Sequence, residues 1–147
     1  MIDNKTKSLC EVTGQEAREL DKMAIILSAK HQAIAQLDTQ MIQQILVEEL
    51  EELKQIQIVE KMRATMLREL SLKSSDLRKS AMLETVLGKD GAHEFAAAQS
   101  NFRKSFARVI SLNGISRALL KHSLAFIKQN IYILTEGGKR KLVDRKA

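Results

Sequence analysis

The chain of 147 residues contains no proline and no tryptophan, one cysteine, one tyrosine and four phenylalanines. Each scarcity excludes something. Without proline, nothing removes a backbone donor from the interior of a long helix. With 3% aromatic residues, a β-sandwich lacks the side chains that usually fill its core and pair across its strands. A single cysteine, Cys10, rules out an internal disulfide and is compatible with a reducing cytoplasm. No apolar run approaches the roughly 20 residues of a membrane span. Met1 to Val12 is polar and has no apolar stretch of the kind that marks a cleaved secretion signal, so a cytoplasmic location is expected.

What remains is dominated by Leu, Ala, Lys, Glu, Gln and Ile, the residues that lose least on entering a helix. The expected fold is all-α: an elongated antiparallel bundle of three long helices plus one short helix. Its length fits a single domain, 1–147, with mobile ends at about 1–12 and 137–147. The net charge of +6 is unevenly placed, because residues 1–73 carry ten Lys/Arg against twelve Asp/Glu, whereas residues 74–147 carry fourteen against six. Such asymmetry bears on association and solubility, not on fold.

Thr13-Gly14-Gln15-Glu16 has the spacing of a capping box, which predicts a helix starting near Gly14. Leu20, Met23, Ala24, Leu27, Ile34 and Leu37 define its buried stripe, with His31 on the same line. A turn around 36–39 follows, with Asp38 or Thr39 capping a second helix over about 39–71. A heptad line runs along it through Ile42, Leu46, Glu49, Leu53, Ile56, Glu60, Arg63, Leu67 and Leu70, and Glu60 and Arg63 are spaced to pair on that seam. Ser71 to Asp76 reads as a linker, and a short helix over about 75–87 is expected to end at Gly88-Lys89-Asp90-Gly91, where glycines permit a reversal. The last helix, about 92–135 with Asp90 as its cap, keeps its apolar spacing through Asn113-Gly114 and would be about 65 Å long at 1.5 Å per residue.

That last helix carries more apolar surface than one seam uses. Leu120, Leu124, Ile127, Ile131 and Leu134 form one stripe, and Leu112, Ile115, Leu119, Phe126 and Ile133 form a second about 115° away, widening the arc to about half the helix. Five such side chains left in water forgo roughly 7 to 15 kcal/mol. Two coverings are open at this level: the short helix, through Leu77, Ala81, Leu83, Val86 and Leu87, or a partner helix laid in the groove. The residues expected to meet a partner are Leu112, Ile115, Leu119, Leu120, Leu124, Phe126, Ile127, Ile131 and Leu134.

Signals for chemistry are weak. His31, His93 and His122 stand at no spacing that sets two on one helical face, and Glu48, Glu49, Glu51 and Glu52 lack the Glu-x-x-His partners of a di-metal bundle. Cys10 has no histidine nearby to activate it, and no glycine-rich phosphate loop is present. The expectation is a protein that is not an enzyme and needs no metal or cofactor. Arg103, Lys104, Arg108, Arg117, Lys121 and Lys128 line the last helix, but readers for bases are lacking, and a basic polar face is the usual outer side of an amphipathic helix. Neither nucleic acid nor membrane insertion is expected. The competing readings are a homo-oligomeric coiled-coil component, such as a homodimer pairing through the same arc, and, further off, a basic helical nucleic-acid binder.

Two segments resemble the FlgN family of flagellar type III export chaperones. KHQAIAQLD at 30–38, followed by MIQQILVEELEELK at 41–54 and by the Arg63-x-x-x-Leu67 element, is similar to that family's first hairpin. Residues 112–134, with Asn113, the paired Leu119-Leu120 and the spaced aliphatics beyond, are similar to its C-terminal helix. The resemblance implies a small cytoplasmic chaperone for the C-terminal helical segments of hook-filament junction proteins, with the C-terminal helix carrying the contact and export-gate or export-ATPase components as further partners. The sequence departs from the family in its tail, where Tyr132 falls inside the helix and Gly137-Gly138 precedes only a short basic segment.

Overall fold

The computed structural model describes residues 2–132, the side chains of Ser123, Leu124 and 126–132 excepted. Three helices and one 3-10 turn make up the fold, and no strand occurs among the described residues: α1 (Asn4–Ala35), α2 (Thr39–Glu69), a 3-10 turn (Ser74–Arg78) and α3 (Ser80–Tyr132).

Helix α1 starts ten residues before the expected position. The Asp3 Oδ1 accepts from the Thr6 amide at 2.7 Å, which caps the helix and holds the Asp3 carboxyl below its ordinary range. The capping-box reading of Thr13 and Glu16 is thereby corrected. Thr13 lies mid-helix and its hydroxyl donates to the Leu9 carbonyl at 2.7 Å, while Glu16 is turned toward α2. Thr6, Leu9 and Val12 continue the buried stripe toward the N-terminus, and Leu9 is 0% exposed. Residues 4–12, expected within a mobile end, are therefore packed helix.

The reversals after α1 and after α2 use the same device. After α1, Leu37 takes a φ of +52° while the Asp38 amide donates to the Ala33 carbonyl and the Leu37 amide to Ile34. After α2, Ser71 takes +58° with the matching bonds from Leu72 to Leu67 and from Ser71 to Arg68. Both satisfy the last carbonyls in a Schellman arrangement, with non-glycine residues at the left-handed position. Asp38 then caps α2, its Oδ1 accepting from the Met41 amide at 3.1 Å, as the sequence indicates.

The turn expected at Gly88 to Gly91 is present, and Gly88 makes it. Gly88 leaves helical geometry, at φ +78° and ψ 169°, and separates a short helix, residues 80–87, from the main shaft of α3; Leu77, Arg78 and Ser80 line one cavity with Gln99 and Arg103, so this first arm lies back alongside the shaft. Gly91 sits inside the helix where a Cβ would come within 3.0 Å of the Thr6 Cγ2, and its missing side chain lets α3 approach α1. Because the Gly88 conformation belongs almost only to glycine, Gly88→Ala is expected to cost about 1 to 3 kcal/mol, seen as a lowered thermal midpoint. Space is not the cause, since nothing stands within 4 Å of the added methyl.

Helix α1 is the middle of the structure. It packs against both α2 and α3, whose backbones have no Cα atoms within 8 Å of each other among the described residues and which meet through side chains such as Arg63 and Phe102. Lys30 reaches Glu49 and Glu16 reaches Arg63, so α1 and α2 are antiparallel. Leu9 shares a cluster with Phe95 and His31 reaches the Leu112 carbonyl, so α3 runs parallel to α1. The core falls into two clusters. One end holds Leu9, Leu67, Leu72, Leu83, Leu87, Ala92 and Phe95; the middle holds Leu20, Met23, Leu27 and Ile56 with Phe102, Val109 and Leu112 against them.

Candidate functional site

His31 fixes the height at which α3 outgrows its support. Its Nε2 lies 2.8 Å from the Leu112 carbonyl oxygen, which makes it a seam histidine bridging α1 to α3. Four residues later α1 ends, while α3 continues as helix through Asn113-Gly114 to Tyr132. At 1.5 Å per residue, the part of α3 past the level of Ala35 is about 24 Å long.

The nine residues expected to meet a partner separate accordingly. Leu112 is half-buried against Leu20, Met23, Leu27 and Ile56, so it serves the chain's own core. Leu119 is half-buried, Ile115 is 47% exposed and Leu120 is 36% exposed. Leu124, Phe126, Ile127 and Ile131 belong to α3, but their side chains lie outside the described residues, and Leu134 lies outside them altogether. The first arm of α3 is not their cover. Leu83 and Leu87 pack with Leu9, Leu67 and Phe95 at the opposite end of the molecule.

The heptad line on α2 requires correction. Ile45, Ile56, Val59 and Leu67 are buried, but Leu46 and Leu53 on the expected seam are exposed, and Val47 and Leu50 beside them are also exposed. Phe106 and Ile110 on α3 are exposed as well. A periodicity reading could not find these, because it names every apolar line but not which line finds a neighbour.

Arg63 does not pair with Glu60. Its Nε stands 2.6 Å from the Glu16 Oε2, with both side chains largely buried, and its guanidinium lies 4.3 Å from the centroid of the Phe102 ring. Phe102 in turn stacks on Phe106 at 5.9 Å. The contact is an ion pair without hydrogen-bond alignment, and burial still pushes the Glu16 carboxyl above its ordinary range despite the arginine. Lys30 and Glu49 form a second tie between α1 and α2 at 2.9 Å.

A third polar contact between these helices joins two carboxyls. Burial, a hydrogen bond to Glu19 and the Glu19 charge push Glu52 up to about 7, while the bond from Glu52 and the nearby Lys22 hold Glu19 down. Around neutrality the pair shares a proton. The Glu52 contribution to stability is present at low pH and is lost as pH rises through about 7, since the folded state binds that proton more tightly than the unfolded chain. The Glu19 contribution runs the other way, but below that window. The thermal midpoint is therefore expected to fall from about pH 5 to about pH 7 and to level off above, and Glu52→Gln should flatten that fall; equal slopes for the two proteins would refute the pairing.

Burial raises the Cys10 thiol, which keeps it protonated and poorly nucleophilic at neutral pH. Among the described residues no group of three or more His, Cys, Asp or Glu gathers to hold a metal. A cavity of about 730 Å³ between the first arm of α3 and its main shaft is lined by Leu77, Arg78, Leu83, Glu84, Lys89, His93 and Arg103, mixed in charge and half open to solvent. No described helix is long and apolar enough to cross a membrane.

No curated protein and no solved structure matches the chain. A family model, described as FlgN protein, matches residues 1–143, which span α1, α2 and the whole of α3. The chain belongs to the FlgN family of flagellar export chaperones.

Proposed function

We propose that this chaperone acts in the cytoplasm on the C-terminal helical segments of hook-filament junction proteins, holding them apart until they are exported. One observation carries the reading: α3 runs on past the end of α1 with Leu120 exposed, at the start of a stripe that continues in sequence through Leu124, Ile127 and Ile131 to Leu134, while Ile115 is exposed on the second stripe beside that end. A client helix with its own apolar stripe gains by covering those side chains, and while covered its stripe is not free to associate with others. Binding by apolar burial, set against the cost of association and ordering, gives a dissociation constant of roughly micromolar to nanomolar, tight enough to hold and loose enough to hand over. The basic tail from Lys139 onward would leave the export gate or export ATPase as a second contact.

Affinity capture with this protein from its native cytoplasm is expected to recover a hook-filament junction protein. Capture that returns only further copies of this chain would sink the reading and favour a homo-oligomeric structural role. The net charge of +6 weighs against that alternative, since like-charged copies repel.

A further inference from the structure

The geometry points to the open groove between α2 and α3 as the seat of an incoming amphipathic helix whose apolar stripe is bordered on one edge by acidic side chains. This rests on the proposed chaperone reading and extends it, because the groove lies below the free end of α3 and draws half its wall from α2.

The two walls are set by which edges are already occupied. Glu48, Glu51, Glu52 and Gln55 of α2 share a shallow cleft with Ile26 of α1, so that edge faces away from α3. At 100° per residue, Leu46, Leu50 and Leu53 lie roughly 70–130° to the other side of the buried Ile45–Ile56 line, on the edge toward α3. On α3, Asn101, Lys104 and Arg108 border α1 from outside with Arg18 and Asp21. Phe106 and Ile110 lie roughly 50–90° to the opposite side of the Phe102–Val109 line, on the edge toward α2. The walls also stand at the same height, since Lys30 pairs with Glu49 while the next residue, His31, reaches Leu112. Leu50 is 55% exposed and Ile110 is 56% exposed, which single scattered surface residues would not require explaining but two facing rows do.

The chain itself shows what such a groove accepts. At its lower end the first arm of α3 crosses from α2 to α3 and sets Leu83 and Leu87 into a cluster with Leu67 of α2, Leu9 of α1 and Phe95 of α3. A short helix with apolar side chains thus fills the space between the outer helices, and above it no described element follows. The sign of the occupant's flank comes from the α3 rim. Arg103, Arg117 and Lys121 fall roughly 70–110° from the Phe102–Val109 line on the groove side, and all three are exposed. The α2 rim offers no such row, with Gln43, Gln57 and Lys61 along it. A second copy of this chain is disfavoured as the occupant, because it would bring the same basic rim.

The test uses the full chain and a peptide spanning the C-terminal helix of a hook-filament junction protein, titrated by calorimetry at two salt concentrations, with light scattering on the chain alone. Leu50→Glu and Ile110→Glu, both at exposed helical positions, are expected to weaken binding at least tenfold each with the melting curve unchanged; Arg117→Glu is expected to weaken it and to reduce its salt dependence. Full affinity in both groove variants, alongside loss in the Leu120→Asp/Ile127→Asp double variant, would overturn the groove while leaving the chaperone reading intact. Absence of binding by the unaltered chain would overturn both. A dimer of the free chain that dissociates in Leu50→Glu would assign the groove to a second copy and overturn the proposal.

Discussion

Replacing Leu120 and Ile127 together with Asp is expected to abolish capture of a hook-filament junction helix while the protein still melts cooperatively at its usual temperature. Leu120 is 36% exposed and lies on α3 past the level at which α1 ends, and Ile127 follows on the same apolar stripe of the sequence. Burying each against a client would contribute about 1.5 to 3 kcal/mol, and a carboxylate in its place would have to be dehydrated. Removing about 3 to 6 kcal/mol weakens binding by roughly two to four orders of magnitude, which takes a micromolar complex out of range. Calorimetric titration with the client's C-terminal helix reads the loss directly. Retained capture by the folded variant would show that the free end of α3 is not where the client sits.

Arg63→Ala is expected to have the largest effect on stability. The substitution leaves the Glu16 carboxylate, 3% exposed, without its counter-charge, and strips the guanidinium from the Phe102 ring. Breaking one partner of a buried ion pair costs about 3 to 5 kcal/mol, which for a chain of this size lowers the thermal midpoint by roughly 10 °C or more. The defect should deepen with pH. Burial already raises Glu16, and without the arginine its folded-state affinity for a proton rises further, so the penalty is relieved at low pH by protonation, accumulates as pH rises from the ordinary carboxylate range through that raised value, and levels off above it. Glu16→Leu with Arg63→Met, which removes both charges and keeps apolar volume, should recover most of the loss and abolish the pH dependence. A single variant as stable as the parent at pH 8 would mean that the pair contributes nothing to holding α2 on α1.

The residues read from sequence and those found in the structure differ in an instructive way. Helix class, the Asp38 cap and the continuity of α3 through Asn113-Gly114 were all legible, because each depends on residue types within one or two turns. The start of α1 was not. Thr13-x-x-Glu16 has the same spacing whether it caps a helix or lies inside one, and only the burial of Thr6 and Leu9 against α3 decides between the two. Of the two glycines expected at the turn, Gly88 makes it, whereas Gly91 lies inside the shaft and permits a close approach to Thr6, a difference their spacing does not show. Arg63 found Glu16 across the helix pair, a partner on another helix that no spacing within α2 can indicate.

Residue types and their 3.6-residue period determined that this chain is helical, that it belongs with the FlgN proteins, and that α3 carries apolar side chains beyond what one neighbour covers. Tertiary structure alone decided which apolar rows stay in water. Placing α1 between α2 and α3 buries Ile45, Ile56 and Val59 and leaves Leu46, Leu50, Leu53, Phe106 and Ile110 exposed on rows of the same composition. Burial is a property of a pair of surfaces, and a single helix's periodicity holds no record of the surface it will meet.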